Sequence, residues 1–66
     1  MKLWLNGAEH ELADGASLAD ALDAIDLPAA GVAVAVDGDV VPRAGWARFA
    51  LHEGARIEVL TAVQGG

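Results

Sequence analysis

Cysteine and tyrosine are absent from this 66-residue chain, and cations are scarce: Lys2, Arg43, Arg48 and Arg56 stand against ten acidic side chains, for a formal charge of -6. Without cysteine there is no disulfide, no thiolate metal site and no thiol nucleophile, so packing alone must hold the fold. So few basic residues cannot build the clustered positive face that binds a phosphate backbone, which argues against DNA and RNA as partners. Long apolar runs are missing too. No stretch approaches the roughly 20 residues of a membrane span, and the start Met1-Lys2-Leu3-Trp4-Leu5 meets polar Asn6-Gly7 too early for a signal peptide. The expectation is a soluble, cytoplasmic protein with no membrane partner, monomeric when free.

Catalytic side chains are as sparse. Ser17 is the lone serine and no base neighbours it in sequence, while His10 and His52 have no second histidine or cysteine at ligand spacing. Both histidines read as surface strand or loop residues, and no phosphate-binding loop pattern accompanies the glycines. Asp20, Asp23 and Asp26 recur every third residue and fall on the solvated side of a helix, as solubilising charge. The chain reads as neither an enzyme nor a holder of a metal or bound cofactor.

What is present is apolar: 55% of the residues are hydrophobic. A domain of this length buries only about 60% of the surface its unfolded chain exposes, so one core must use nearly all of them and an enclosed metabolite cavity is not expected. Residues 2–5 and 8–12 are strand-like around Asn6-Gly7, a strong hairpin signal because both residues tolerate positive φ. Ser17 precedes Leu18, Leu22 and Ile25 at helical spacing, and Asp20 completes a capping-box pattern, so a helix is predicted over 18–26, ended by Pro28 and Gly31. Val32–Val36, a turn at Asp37-Gly38, and Val40-Val41 form a second hairpin, stopped by Pro42. Residues 42–54 read as an irregular connection, and Arg56–Thr61 as a final strand.

One helix with one apolar stripe and two hairpins predict an α+β domain, a mixed sheet with the helix packed across one face. Period-2 alternation sends Leu3, Leu5, Val32, Val34, Val36, Ile57 and Val59 toward Leu18, Leu22 and Ile25. Trp4 and Leu60 then face outward on the open side of the sheet, beside small Ala33 and Ala35, as a candidate partner-docking patch.

The end of the chain carries the remaining signal. Residues 1–62 read as the domain and 63–66 as a tail, Val63-Gln64-Gly65-Gly66, that can extend roughly 13 to 14 Å. Two residues without Cβ atoms can pass through a narrow channel into another protein's active site. An α-carboxylate has a pKa of about 3.3 to 3.7 and is a poor electrophile until it is converted to a mixed anhydride, so an ATP-using partner is required. The adenylated carbonyl could then accept sulfur, making the chain a carrier, or an amine, making it a tag.

These residues resemble a known family. Asn6-Gly7, Leu18 and Leu22, Val34-Ala35-Val36-Asp37-Gly38, Val41-Pro42-Arg43, Trp46, Leu51, Gly54, Ile57-Glu58-Val59 and Ala62-Val63-Gln64-Gly65-Gly66 are similar to ThiS, the sulfur carriers of thiamine biosynthesis, along the whole chain. The V-P-R-x-x-W segment and the V-Q-G-G ending are specific together. A terminal Gly-Gly alone also fits ubiquitin-like modifiers and molybdopterin sulfur carriers. The resemblance implies a ubiquitin-like β-grasp fold. It further implies that Gly66 is adenylated by an E1-like adenylyltransferase using ATP and a sulfur donor, becomes a thiocarboxylate, and gives its sulfur to thiazole synthase. Asp37 stands where many relatives have asparagine. Alternatives from the residues alone are a molybdopterin-type carrier, a covalent protein modifier, and a non-covalent module with an incidental tail. Arg43 and Trp46 admit either a structural role in the loop or contact with a partner.

Overall fold

Two turns with left-handed residues set the sheet. In the computed structural model, which describes residues 1–25 and 31–61, Asn6 and Gly7 have φ of 49° and 85°, and Asp37 and Gly38 have 52° and 89°. Positive φ at both central positions matches the twist of the flanking strands and makes a tight two-residue hairpin. The first turn joins β1 (Lys2–Leu5) to β2 (Ala8–Glu11), and the second joins β3 (Val32–Val36) to β4 (Asp39–Val40).

Between the hairpins lies α1 (Leu18–Ala24). Ser17 Oγ accepts the Asp20 N–H at 3.1 Å and Asp20 Oδ2 accepts the Ser17 N–H at 2.9 Å, so two orphan donors of the first turn are satisfied reciprocally, as the sequence predicts. The helix is shorter than 18–26: Ile25 is its C-cap, and Asp26 and Pro28 lie outside the described residues.

The last strand, β5 (Arg56–Thr61), takes the centre of a five-stranded sheet of order β2-β1-β5-β3-β4. It runs parallel to β1 and antiparallel to β3. Leu18, Ala21 and Leu22 of the helix are buried with Leu3, Val34, Val36, Ile57 and Val59 of the sheet. Leu5, Val32 and Ile25 pack against this core half-buried. This is the mixed sheet under one helix that the alternation predicts, the α+β architecture of the ubiquitin-like β-grasp. Among the described residues no helix is long and apolar enough to cross a membrane.

The segment expected to be irregular is not wholly so. Arg43–Arg48 form a 3-10 helix, entered through Pro42 at φ -60° and tightened by the Gly45 N–H to Pro42 carbonyl bond of 2.8 Å. Its purpose is Trp46, which is 7% exposed and donates its indole N–H to the Val41 carbonyl at 2.9 Å. The chain then returns to the helix start, where Leu18 N–H donates to the Phe49 carbonyl and Leu51 N–H to that of Ala16. Trp46 is thus a core residue closing the sheet beside Val41 and Leu51. Arg43 is exposed and has no hydrogen bond to a described loop carbonyl.

Candidate functional site

The candidate site is the strand that leads to the tail together with the open face of the sheet. Val63, Gln64, Gly65 and Gly66, singled out by the sequence, lie outside the described residues. β5, which leads to them, is paired on both sides: Trp4 and Leu5 of β1 pair in parallel with Arg56 and Ile57, and Val32 through Val36 of β3 pair antiparallel with Thr61 back to Ile57.

β1 leaves β5 at the Asn6 turn, and the Asn6 side chain continues where the backbone stops. The Asn6 N–H donates to the Ile57 carbonyl at 2.9 Å, the last backbone bond in the register. One step further, the Val59 N–H donates to Asn6 Oδ1 at 2.9 Å and Asn6 Nδ2 donates to the Val59 carbonyl at 3.3 Å. A continuing parallel strand would offer a carbonyl and an N–H there, and a side-chain amide carries the same two groups. Positive φ is what lets one residue both turn the chain and keep its amide against β5, and asparagine is among the few side chains that adopt it.

The open face divides in two. On one side Trp4, half-buried, pairs with Arg56 and lies in an open groove of about 430 Å³ with Asn6, Gly7 and Glu58. On the other, Leu60 is 68% and Val40 73% exposed. Leu60 pairs with Ala33 and Val40 with Ala35, so the two flank β3 above a floor of small side chains. Trp4 and Leu60 therefore share a face but do not adjoin: Glu58 lies between them, and the four-residue step from Arg56 to Leu60 is about 13 Å at the usual rise of a strand. The sequence reading put them side by side because alternation assigns faces but not the register between β1 and β5. It missed Val40, whose outward direction follows from the pairing of Val36 with Asp39 across the tight turn.

The histidines behave differently from one another. His10 is half-buried at the outer hairpin opposite Leu3. His52 is exposed and places Nε2 2.6 Å from Asp37 Oδ2, with Nδ1 2.9 Å from the Glu53 carbonyl. Both partners are acceptors, so the two hydrogen bonds form together only when both ring nitrogens carry protons, which favours the imidazolium form. The hydrogen bond to Asp37, then that to the Glu53 carbonyl, raise the His52 pKa above its ordinary value. The same bond from His52, joined by the Arg56 N–H on Asp37 Oδ1 at 3.1 Å, lowers that of Asp37. This pair ties the second turn to the start of β5, and a spacing of fifteen residues hid it from the sequence reading. Among the described residues no group of three or more His, Cys, Asp or Glu side chains could hold a metal ion.

A β-grasp domain whose central strand runs toward a Gly-Gly tail belongs to the ubiquitin-like class of small α+β proteins. The family model described as the ThiS family matches residues 3–66, and the chain belongs to that family. It is similar to the sulfur carrier protein ThiS of Escherichia coli strain K12, 29% identical over 66 residues and covering 100% of both chains. Its fold superposes on the crystal structure of the thiamine biosynthesis protein ThiS from Geobacter metallireducens with a TM-score of 0.84, 26% identity and 100% coverage of both chains. The solution structure of a thiamine biosynthesis protein from the same organism gives 0.78 at 26% identity, covering 100% of this chain and 88% of that one.

Proposed function

We propose that the chain is a sulfur carrier of thiamine biosynthesis, a protein substrate and sulfur donor rather than a catalyst. The observation that carries this reading is the match of the ThiS family to residues 3–66, which includes the Gly65-Gly66 ending, on a domain whose central strand leads into it. The Gly66 carboxylate attacks the α-phosphate of ATP in an E1-like adenylyltransferase, and pyrophosphate leaves. Hydrosulfide from the sulfur donor then attacks the acyl adenylate, AMP leaves and the S–H proton is lost, so that one carboxylate oxygen has been replaced by sulfur. The thiocarboxylate delivers that sulfur to thiazole synthase during thiazole formation. Val63, Gln64 and Gly65 carry Gly66 into each partner's active site, where the lack of a Cβ on the glycines permits close approach. No cofactor resides on the chain; ATP and the sulfur donor belong to the partner's reaction.

Docking falls to the open sheet face. Leu60 with Val40, and Trp4 separately, are its apolar contacts, with the chain's net charge of -6 raising the association rate with a basic partner. The test of the function is the intact mass of the chain after incubation with a cognate adenylyltransferase, ATP and a sulfur donor, beside a variant lacking Gly65 and Gly66. A gain equal to exchanging oxygen for sulfur, seen only in the full chain, is expected. An unchanged mass with an enzyme shown to be active on another carrier would refute the reading.

A further inference from the structure

We infer that Asn6 is a positioning residue for the C-terminal tail: its side-chain amide takes the place of the missing strand beside Val59 and so fixes the direction in which the chain leaves the sheet. The inference rests on the carrier reading above and deepens it. β1 pairs with β5 only through Arg56 and Ile57, after which the backbone turns away at Asn6-Gly7 toward β2. On that side of β5 the next N–H and carbonyl are those of Val59, and Asn6 Oδ1 and Nδ2 satisfy both, at 2.9 and 3.3 Å. Val59 is two residues from the end of β5. β3 alone flanks the last residues of the strand, through Val32 to Thr61 and Ala33 to Leu60. Without the amide, β5 would be held from one side over its whole final turn toward the tail, and a strand tethered along one edge can swing about it.

The consequence for chemistry is geometric. A carboxylate on Gly66, seven residues beyond the anchor at Val59, must meet the α-phosphate in line, and small errors of approach at the root of a tail grow along its length. The open face with Leu60, Val40 and Trp4 is untouched by the clamp, so docking and presentation are separable. Loss of the clamp should lower kcat for adenylation while leaving KM for the carrier near its original value, the signature of an interaction that matters in the transition state.

Asn6→Gly is the informative variant, because glycine adopts the positive φ of this turn and removes only the amide. Amide hydrogen exchange and steady-state adenylation by a cognate adenylyltransferase with ATP are measured on the same samples. Exchange at the Val59 N–H is expected to rise, and kcat to fall, by about tenfold each, the factor that one or two net hydrogen bonds are worth. Asn6→Asp keeps the turn and the acceptor for the Val59 N–H but sets a charged oxygen against the Val59 carbonyl. It is expected to lose kcat in the same direction, and it decides the matter should Asn6→Gly not fold. Faster exchange with unchanged kcat and KM would make the clamp merely structural and overturn the inference, as would unchanged exchange. A wild-type chain that an active enzyme does not adenylate would overturn the carrier reading itself, and this inference with it.

Discussion

Replacing Trp46 with alanine separates the two roles that the sequence left open for this residue, core packing and contact with a partner. The indole is 7% exposed, so nearly all of its surface is removed from water, and Trp→Ala at such a site costs about 3 to 5 kcal/mol. The variant also strips the Val41 carbonyl of the indole N–H that reaches it at 2.9 Å, leaving a buried acceptor without that donor. A chain of 66 residues has a total stability of roughly 3 to 10 kcal/mol, so Trp46→Ala should remove from about a third to all of it and lower the melting midpoint by at least about 12 °C. Trp46→Phe divides the effect: it keeps most of the apolar volume and loses the donor, for a cost of about 1 to 3 kcal/mol. At this size each kcal/mol moves the melting midpoint by about 4 to 8 °C. Far-ultraviolet circular dichroism against urea and temperature reads both, independently of Trp4 fluorescence. A Trp46→Ala protein that melts within a few degrees of wild type would refute the packing argument, and if it also lost adenylation the indole would be a partner contact.

Three further outcomes are expected. The Asp37–His52 pair makes stability depend on pH in two directions: with the His52 pKa raised, its contribution is complete below about 6.5 and is lost as pH rises through the folded-state value; with that of Asp37 lowered, its contribution is present above about 3.9 and is lost as pH falls through the folded-state value. Urea midpoints should therefore be highest between about pH 4 and 6.5, and His52→Gln should flatten the upper limb; an unaltered profile would show that the pair is not formed in solution. Ser17→Ala removes the helix cap and should cost about 0.5 to 2 kcal/mol in the urea midpoint without changing the slope of the transition, whereas no shift would mean that the loop bonds at Phe49 and Ala16 hold the helix start unaided. Leu60→Asp, at a side chain 68% exposed, should leave the melting midpoint within a few degrees and raise KM for adenylation at least about tenfold; an unchanged KM would remove Leu60 from the docking surface.

What could be read in the sequence was what is local. The capping box needs only Ser17 and Asp20, the two hairpins need only Asn6-Gly7 and Asp37-Gly38, and burial of Leu3, Val34, Val36, Ile57 and Val59 needs only alternation within each strand. The 3-10 helix escaped because Arg43–Arg48 has a single apolar anchor and no periodic stripe; one indole against one carbonyl five residues back leaves no pattern to find. Distances between strands were out of reach. The separation of Trp4 from Leu60 depends on the β1–β5 register, and the Asn6 bonds to Val59 join residues 53 apart in the chain. For the candidate site, the Gly-Gly ending was legible as a motif, while the bonds of Asn6 to Val59 were visible only once β5 stood beside β1.

The placement of β5 links the fold to the proposed chemistry. β1 and β3 do not pair with each other; each pairs with β5, so without the last strand the sheet is two separate hairpins under a short helix. An isolated hairpin is marginal in water, and the helix stripe would lose Ile57 and Val59 as well. The domain can therefore fold only after the segment that leads to the tail has been made and has paired on both sides. Folding and the holding of β5 become one event: the strand that precedes Gly66 in the sequence is paired on both sides only once the sheet has closed around it. On the carrier reading, a partner that recognises the open face with Leu60, Val40 and Trp4 meets a surface drawn from β1, β4 and β5 together, which exists only in that closed state. An adenylating enzyme that docks on this face before it reaches for the tail would then be selecting folded carriers from the shape of the sheet alone.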